Sequence, residues 1–280
     1  TLLLHLFGLS QVLPVIIALF GLVAVHGAQG WLTQLMRQIG LPLPDYLFGL
    51  SGILLAHVFF NMPLATRWLV QALEQIPANH WRQAAQLDMP EWSRFCWLEW
   101  PAMRRLLPGL ASLIFMLCFT SFTIVMALGG GPQATTLEVA IYQALRFDFD
   151  LASAGQLACW QLLLGTLVVL SYGWLKPATA SLSSLHQPVS HYQRHALLPD
   201  CLALVCGLGL FLPPLAAIVW YGLQALFDLA WQQSLLVHTT LQSLQIALSA
   251  GTLALVLSIG LLLSCRHLSV RRQSPRWGRL

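Results

Sequence analysis

QIPANHWRQAAQLDMPEWSRFCWLEWP, Gln75 to Pro101, interrupts an otherwise oily chain. It brings together Arg82, Asp88 and Glu91 with five tryptophan or phenylalanine rings and three prolines. Locally it reads as two short helices. Asn79–Leu87 has good helix formers after Pro77, Asp88-Met89-Pro90 breaks the run, and Glu91–Trp100 resumes it. Asp88 is a candidate cap for the second helix, with Pro90 in its first turn. Trp92, Phe95 and Leu98 recur at helical spacing and give that helix one apolar face. Such a face suits either the ends of neighbouring spans or a groove on another protein.

The flanks decide what kind of protein carries this loop. Of 280 residues, 57% are hydrophobic and only 9% charged, where a soluble domain carries about 25% charged residues. The mean hydropathy is +0.70. Six stretches are long and apolar enough to cross a bilayer: Leu2–Val25, Gly49–Leu73, Leu106–Leu128, Leu151–Leu175, Cys201–Leu226 and Leu235–Cys265. The expected fold is an all-α polytopic transmembrane helix bundle. Pro14, Pro63, Pro213 and Pro214 interrupt spans, which a packed bundle tolerates because neighbouring helices satisfy the freed carbonyls.

The net charge of +4 is a topology signal here, and no nucleic-acid partner is expected. If the 75–104 loop is cytoplasmic, that side also receives Arg67, Arg94, Arg104, Arg105, Lys176, Arg194 and the basic tail 266–280. The other side keeps only Arg37 and Arg146. Lysine and arginine accumulate on the cytoplasmic face of membrane proteins, so the orientation follows.

Lys176 to Pro199 is polar, serine-rich and bracketed by prolines, and reads as a cytoplasmic linker. His186, His191 and His195 within it lack carboxylate or thiol company and are read as solvated rather than metal-binding. The chain therefore divides into the C-terminal part of a first membrane module at 1–175, the linker at 176–199 and the start of a second module at 200–280. Thr1 lies inside an apolar run and Leu280 follows a basic segment, so both ends are read as cuts in a longer polypeptide. The six cysteines form no CxxC pair and read as small core hydrophobes.

On the outer side, Gly129–Gly131 reads as a helix stop rather than a phosphate cradle, since no lysine follows it. Thr135 and Glu138 have capping-box spacing and start a short helix with Leu137, Ile141 and Leu145 along one face. That helix is expected to lie on the membrane surface, with Asp150 capping the next span. Acidic residues are nearly absent from span centres, which argues against a proton relay. His57, Asn61, Thr120 and Ser121 are polar groups in spans, expected to hydrogen-bond between helices. Most of the eleven tryptophans are expected at the two interfaces.

No nucleotide-holding loop exists, because the only lysine, Lys176, precedes a proline. Uphill movement of a solute would need a separate engine and a surface for it to push on. At this point the loop resembles a known family. Ile76-Pro77, Arg82-Gln83-Ala84, Leu87-Asp88, Phe95, Leu98 and Trp100-Pro101 follow, without gaps, the IP, EAA, LG and LP pattern of permease subunits of ATP-binding-cassette importers. The resemblance implies a fold of that permease type and a coupling role for Arg82, Gln83, Ala84, Leu87, Asp88, Glu91 and Trp92. It implies as partners a cytoplasmic ATPase dimer, a periplasmic substrate-binding protein and the lipid bilayer of the bacterial inner membrane. No cofactor is implied, ATP being bound by the partner, and the chain itself is not an enzyme. Arg82 stands where the family has glutamate and Asp88 where it has glycine, a residue that enters positive φ freely. GGGPQATTLEVAIYQALRFDFDLASA is similar to the thiamine branch of that family, in which iron(III) permeases are relatives and two modules are fused. Thiamine is the implied cargo and iron(III) the alternative; an ATP-independent channel or a structural membrane subunit is the reading from a different class.

Overall fold

The computed structural model describes residues 7–8, 12–41, 43–129, 134–174, 197–228 and 233–273. Regular structure among the described residues is helical throughout, with no strand. Six segments are long and apolar enough to cross a membrane: Val15–Gln38, Leu50–Glu74, Glu91–Phe119, Leu151–Ser171, Cys201–Ala225 and Val237–Ser264. The chain divides into two compact units, Thr1–Gly222 and Leu223–Leu280.

The first expected span, Leu2–Val25, is interrupted at Leu13–Pro14, and its helix ends one residue later than expected, at His26. Pro14 is the N-cap of α1 (Val15–His26), having no N–H to continue a helix from the preceding turn. The helix stops at Gly27, whose N–H bonds Val23 O, and α2 (Trp31–Gln38) follows. Added Cβ atoms at Gly27 and Gly30 would sit 2.5 Å from Val23 O and 2.3 Å from Val25 O, so this corner needs glycine at both. The Thr33 hydroxyl closes it by donating to Gly27 O at 2.8 Å.

α3 (Leu50–Glu74) carries Pro63 inside it and matches the second expected span to one residue. α4 (Ala78–Gln86) is the first loop helix. After it the structure departs from expectation. α5 (Glu91–Arg94), a π-helical turn (Phe95–Glu99) and α6 (Trp100–Phe119) form one continuous helix. The expected second loop helix ends at Trp100, just before Pro101. The π-turn resolves the conflict: Trp100 N–H bonds Phe95 O, five residues back, widening the turn just where the proline ring would otherwise meet the carbonyl four residues before it. The third expected span, Leu106–Leu128, is therefore wrong at both ends. Its helix begins at Glu91 and stops at Phe119, and a break at Thr120–Phe122 separates it from α7 (Thr123–Leu128).

α8 (Leu137–Arg146) and α9 (Leu151–Trp174) form a hairpin. Gly129 ends α7 as expected; an added Cβ there would lie 2.4 Å from Val125 O. α10 (Leu197–Asp228) contains Pro213 and Pro214, and α11 (Gln233–Gln273) runs 41 residues, about 60 Å and well beyond the hydrocarbon thickness. Most of the 176–199 linker, including His186, His191 and His195, lies outside the described residues, as does the end of the tail beyond Gln273.

Within the first unit, α3 packs on α6 and α7, α1 on α2 and α7, and α9 on α6 and α8. The core gathers Leu19, Leu22, Leu47, Ile53, Ala56, Phe59, Ile124, Val125, Leu128, Val139 and Phe211. Phe59 stacks on Phe211 at 5.0 Å and Phe7 meets Phe211 edge-on at 5.6 Å. α1 approaches α10 so closely that an added Cβ on Gly21 would stand 2.5 Å from Pro214 O. Lipid tails are as apolar as the side chains, so this close backbone approach, rather than escape from water, is what holds the helices together.

Candidate functional site

The loop between α3 and α5 is built by a helix C-terminus of defined geometry. α4 ends with C-cap Leu87, the Asp88 N–H bonds Ala85 O at 3.2 Å, and the Met89 N–H bonds Ala84 O at 3.1 Å. That pair of bonds is a Schellman motif, which places the residue after the C-cap in the left-handed region. Asp88 is that residue, at φ 46°. Asp88 is thus the stop of α4 and not the cap of the next helix; α5 has Pro90 as its N-cap residue, with no side-chain capping bond. Pro90 accordingly stands one position ahead of the first turn.

The expected loop residues separate into two groups. Ala84 is buried at 2% exposure and holds α4 against its surroundings. Arg82, Gln83, Asp88 and Glu91 are exposed, as are Leu87 at 73% and Trp92 at 75%. Two large apolar side chains on a solvent face beside polar ones form a surface suited to contact. The expected Trp92, Phe95 and Leu98 face is only partly sheltered. Trp92 stacks on Phe95 at 5.6 Å and Phe95 leans on Trp100 at 6.2 Å, while Trp92 itself stays open. Trp97, also 75% exposed, was missed as a member of this surface because the π-turn changes which residues share a face.

At the far end of α6 lies a second group of polar side chains. Asn61 on α3 donates to His57 O at 2.9 Å and reaches Cys118 Sγ on α6 at 3.4 Å. His57 Nδ1 bonds Ile53 O at 2.7 Å and Thr120 bonds Met116 O at 2.8 Å, each within its own helix. Of the expected His57, Asn61, Thr120 and Ser121, it is Asn61 that makes a bridge between helices. α6 and α9 enclose a groove of about 480 Å³ lined chiefly by apolar side chains, with Thr120, Gln161 and Thr166 as its polar members.

The outer helix α8 packs one side against its neighbours and leaves Gln143, Leu145 and Arg146 exposed. Val139 and Ala144 are buried, and Tyr142 packs on Phe122 at 5.0 Å. The expected face of Leu137, Ile141 and Leu145 is not the sheltered one, and Leu145 is 49% exposed. Thr136, not Thr135, is the N-cap residue and makes no capping bond, so the capping box does not form. Glu138 instead accepts a hydrogen bond from Gln161 Nε2 at 2.6 Å. Asp150 does cap α9 as expected, accepting from Ala152 N–H at 3.0 Å and Ser153 N–H at 3.1 Å. The Ser153 hydroxyl and amide bonds hold the Asp150 carboxyl below its usual range.

Comparison with known proteins places these features. No family model matches the chain, and no solved structure matches it. The chain is 46% identical over 276 residues to the thiamine transport system permease protein ThiP of Escherichia coli (strain K12), covering 97% of this chain and 51% of that protein. It is 39% identical over 272 residues to the protein of the same name from Haemophilus influenzae, covering 95% of this chain and 50% of that one. A more distant relative, the molybdenum transport system permease protein ModB of Azotobacter vinelandii, is 28% identical over 165 residues, 59% of this chain and 70% of that protein. The chain spans about half the length of the thiamine permeases it matches. With its apolar helices, its loop pattern and these relatives, the chain belongs to the permease family of ATP-binding-cassette transport systems.

Proposed function

We propose that the chain is the greater part of one module, with the beginning of a second, of an importer permease that carries thiamine across the bacterial inner membrane. The observation that carries this reading is the Gln75–Pro101 loop. It presents Arg82, Gln83, Leu87, Asp88, Glu91 and Trp92 outward around a fixed Schellman turn, at the arginine-rich end of the spans. Thiamine, which gives these relatives their name, supports the cargo.

In this reading a cytoplasmic ATPase dimer receives the loop, and ATP is bound and hydrolysed there rather than here. A periplasmic binding protein delivers the solute to the opposite face. Closure of the ATPase dimer displaces α4 and α5. Because α5, the π-turn and α6 are one helix, that displacement reaches Phe119 without an intervening flexible joint. The helix breaks at Thr120–Phe122, where the pathway is opened and closed. Residues 176–199 join the first module to the second, which begins near Asp200.

Reconstitution of the full-length permease with its ATPase and binding protein tests this. Labelled thiamine should accumulate only with ATP and loaded binding protein. Accumulation of iron(III) instead would replace the cargo, and transport without ATP would replace the mechanism.

A further inference from the structure

α6 carries two cations that nothing else in the fold uses. Arg104 and Arg105 are exposed, and among the described residues neither makes a hydrogen bond or an ion pair. The neighbouring acids do not answer them. Glu99 is buried at 9% exposure. Glu91 lies at the start of the continuous helix, about 20 Å along it from Arg104. Glu74, which ends α3, makes no ion pair with either arginine. Beyond the pair α6 changes character. Leu106–Phe119 contains no charged side chain, and a charge inside the hydrocarbon is costly, so the pair stands where α6 leaves the lipid tails.

The exposed side chains of α6 follow one stripe. Trp100, Arg104, Ala111 and Phe115 are all exposed and recur at helical spacing on one face, with Arg105 beside them. α3 and α9 pack on other sides of α6. From the cytoplasmic end inward the stripe reads aromatic, cationic, then apolar, with Trp100 43% and Phe115 47% exposed. That order is the profile of a phospholipid. An indole suits the interface, guanidinium groups suit the phosphate, and the apolar side chains suit the acyl chains.

We infer that Arg104 and Arg105 seat the phosphate of an anionic phospholipid at the cytoplasmic interface, its acyl chains lying along Ala111 and Phe115. Each guanidinium offers a planar fork of donors that matches phosphate oxygens. The complementarity is also one of charge: a headgroup of net negative charge answers the two arginines, and a zwitterionic one does not. A lipid held there fixes the height of α6, the helix that joins the Gln75–Pro101 loop to Phe119. The inference rests on the membrane placement of the chain and is independent of the cargo.

The test uses the full-length permease with its ATPase in phosphatidylcholine nanodiscs. These are doped with phosphatidylglycerol or phosphatidylcholine carrying a photoactivatable group high on one acyl chain, and labelled peptides are mapped by mass spectrometry. One arginine near an anionic headgroup gives about a fivefold gain in binding, so the pair predicts about 25-fold more labelling of residues 101–115 by phosphatidylglycerol than by phosphatidylcholine. Arg104→Gln with Arg105→Gln should bring the two lipids to near parity. Phosphatidylcholine labelling should stay at its wild-type level, which reports an intact lipid-facing helix. Arg104→Lys with Arg105→Lys, which retains the charge, should keep most of the preference. Unlabelled phosphatidylglycerol should compete, and inorganic phosphate should not. Equal labelling by the two lipids in the wild type overturns the inference, as does absence of label on α6 because the rest of the polypeptide covers this face. Both results are read on the wild type and hold even if the glutamine variant fails to fold. A preference that survives in the folded glutamine variant, or competition by inorganic phosphate, also overturns it. Thiamine uptake is not a readout here, so failure of the transport reading is a separate result.

Discussion

Asp88 holds α4 to its stop, and replacing it tests whether the left-handed turn sets the loop. At φ 46° an ordinary L-residue is strained by about 1–2 kcal/mol, and aspartate by less because its short polar side chain tolerates the region. Asp88→Gly removes the strain, while Asp88→Val adds a branched Cβ where the backbone least accepts it. If valine pulls the residue out of the left-handed region, the bonds from Asp88 N–H to Ala85 O and Met89 N–H to Ala84 O open together. Each such bond contributes about 0.5–1.5 kcal/mol, so strain or breakage gives the same scale, about 1–2 kcal/mol. Amide hydrogen exchange at positions 88 and 89 in the detergent-solubilised permease reads this directly. About tenfold faster exchange is expected in Asp88→Val and slower exchange in Asp88→Gly, since 1.4 kcal/mol is a factor of ten. Equal rates across glycine, aspartate, alanine and valine would refute the reasoning.

Other expectations follow from particular contacts. Pro101→Ala lets the Phe95–Glu99 π-turn relax to an α-turn, which rotates Trp92 by about 100° relative to α6. Uptake should fall, and deleting Cys96 in the same chain should restore it by removing the extra residue; failure of the pair to recover would contradict the geometry. Gly21→Leu forces a side chain into the 2.5 Å approach to Pro214 O and should lower stability by about 1–3 kcal/mol, read as thermal unfolding in detergent. The Asp150 cap titrates. Its carboxyl is held below the ordinary range by Ser153, so its contribution is present above the unfolded value and is lost as pH falls through the lowered one. Protection of the Ala152 and Ser153 amides, taken relative to the intrinsic exchange rate at each pH, should fall on acidification in the wild type, and much less in Asp150→Asn, which keeps an acceptor without titrating.

Local features of this chain are legible in its sequence and distant ones are not. The second and fourth spans, the helix stop at Gly129 and the Asp150 cap each depend on neighbours within a few residues, and the structure has all of them. The departure at Asp88 from the family glycine correctly marked a positive-φ position. The helix runs on through Pro101 beyond its expected end at Trp100, because the π-turn at Phe95–Glu99 accommodates the proline, which no residue spacing announces. Glu138 misled for another reason. Its spacing from Thr135 fits a capping box, but its partner is Gln161, 23 residues away and brought close only when α8 folds back on α9. The sheltered face of α8 was misread for the same cause, since amphipathic spacing reports one apolar face but not which neighbours take the others.

The central claim is that the Gln75–Pro101 loop meets the ATPase. A single photo-crosslinking residue placed at Gln83 in the full-length permease, assembled with its ATPase and binding protein, tests it most directly. The exposed position of Gln83 on α4 predicts capture of the ATPase subunit, with a yield that changes between ATP-bound and nucleotide-free states, whereas a probe at Arg37 on α2 captures none. Full transport activity with no ATPase captured from position 83, or capture from position 37, would contradict the account.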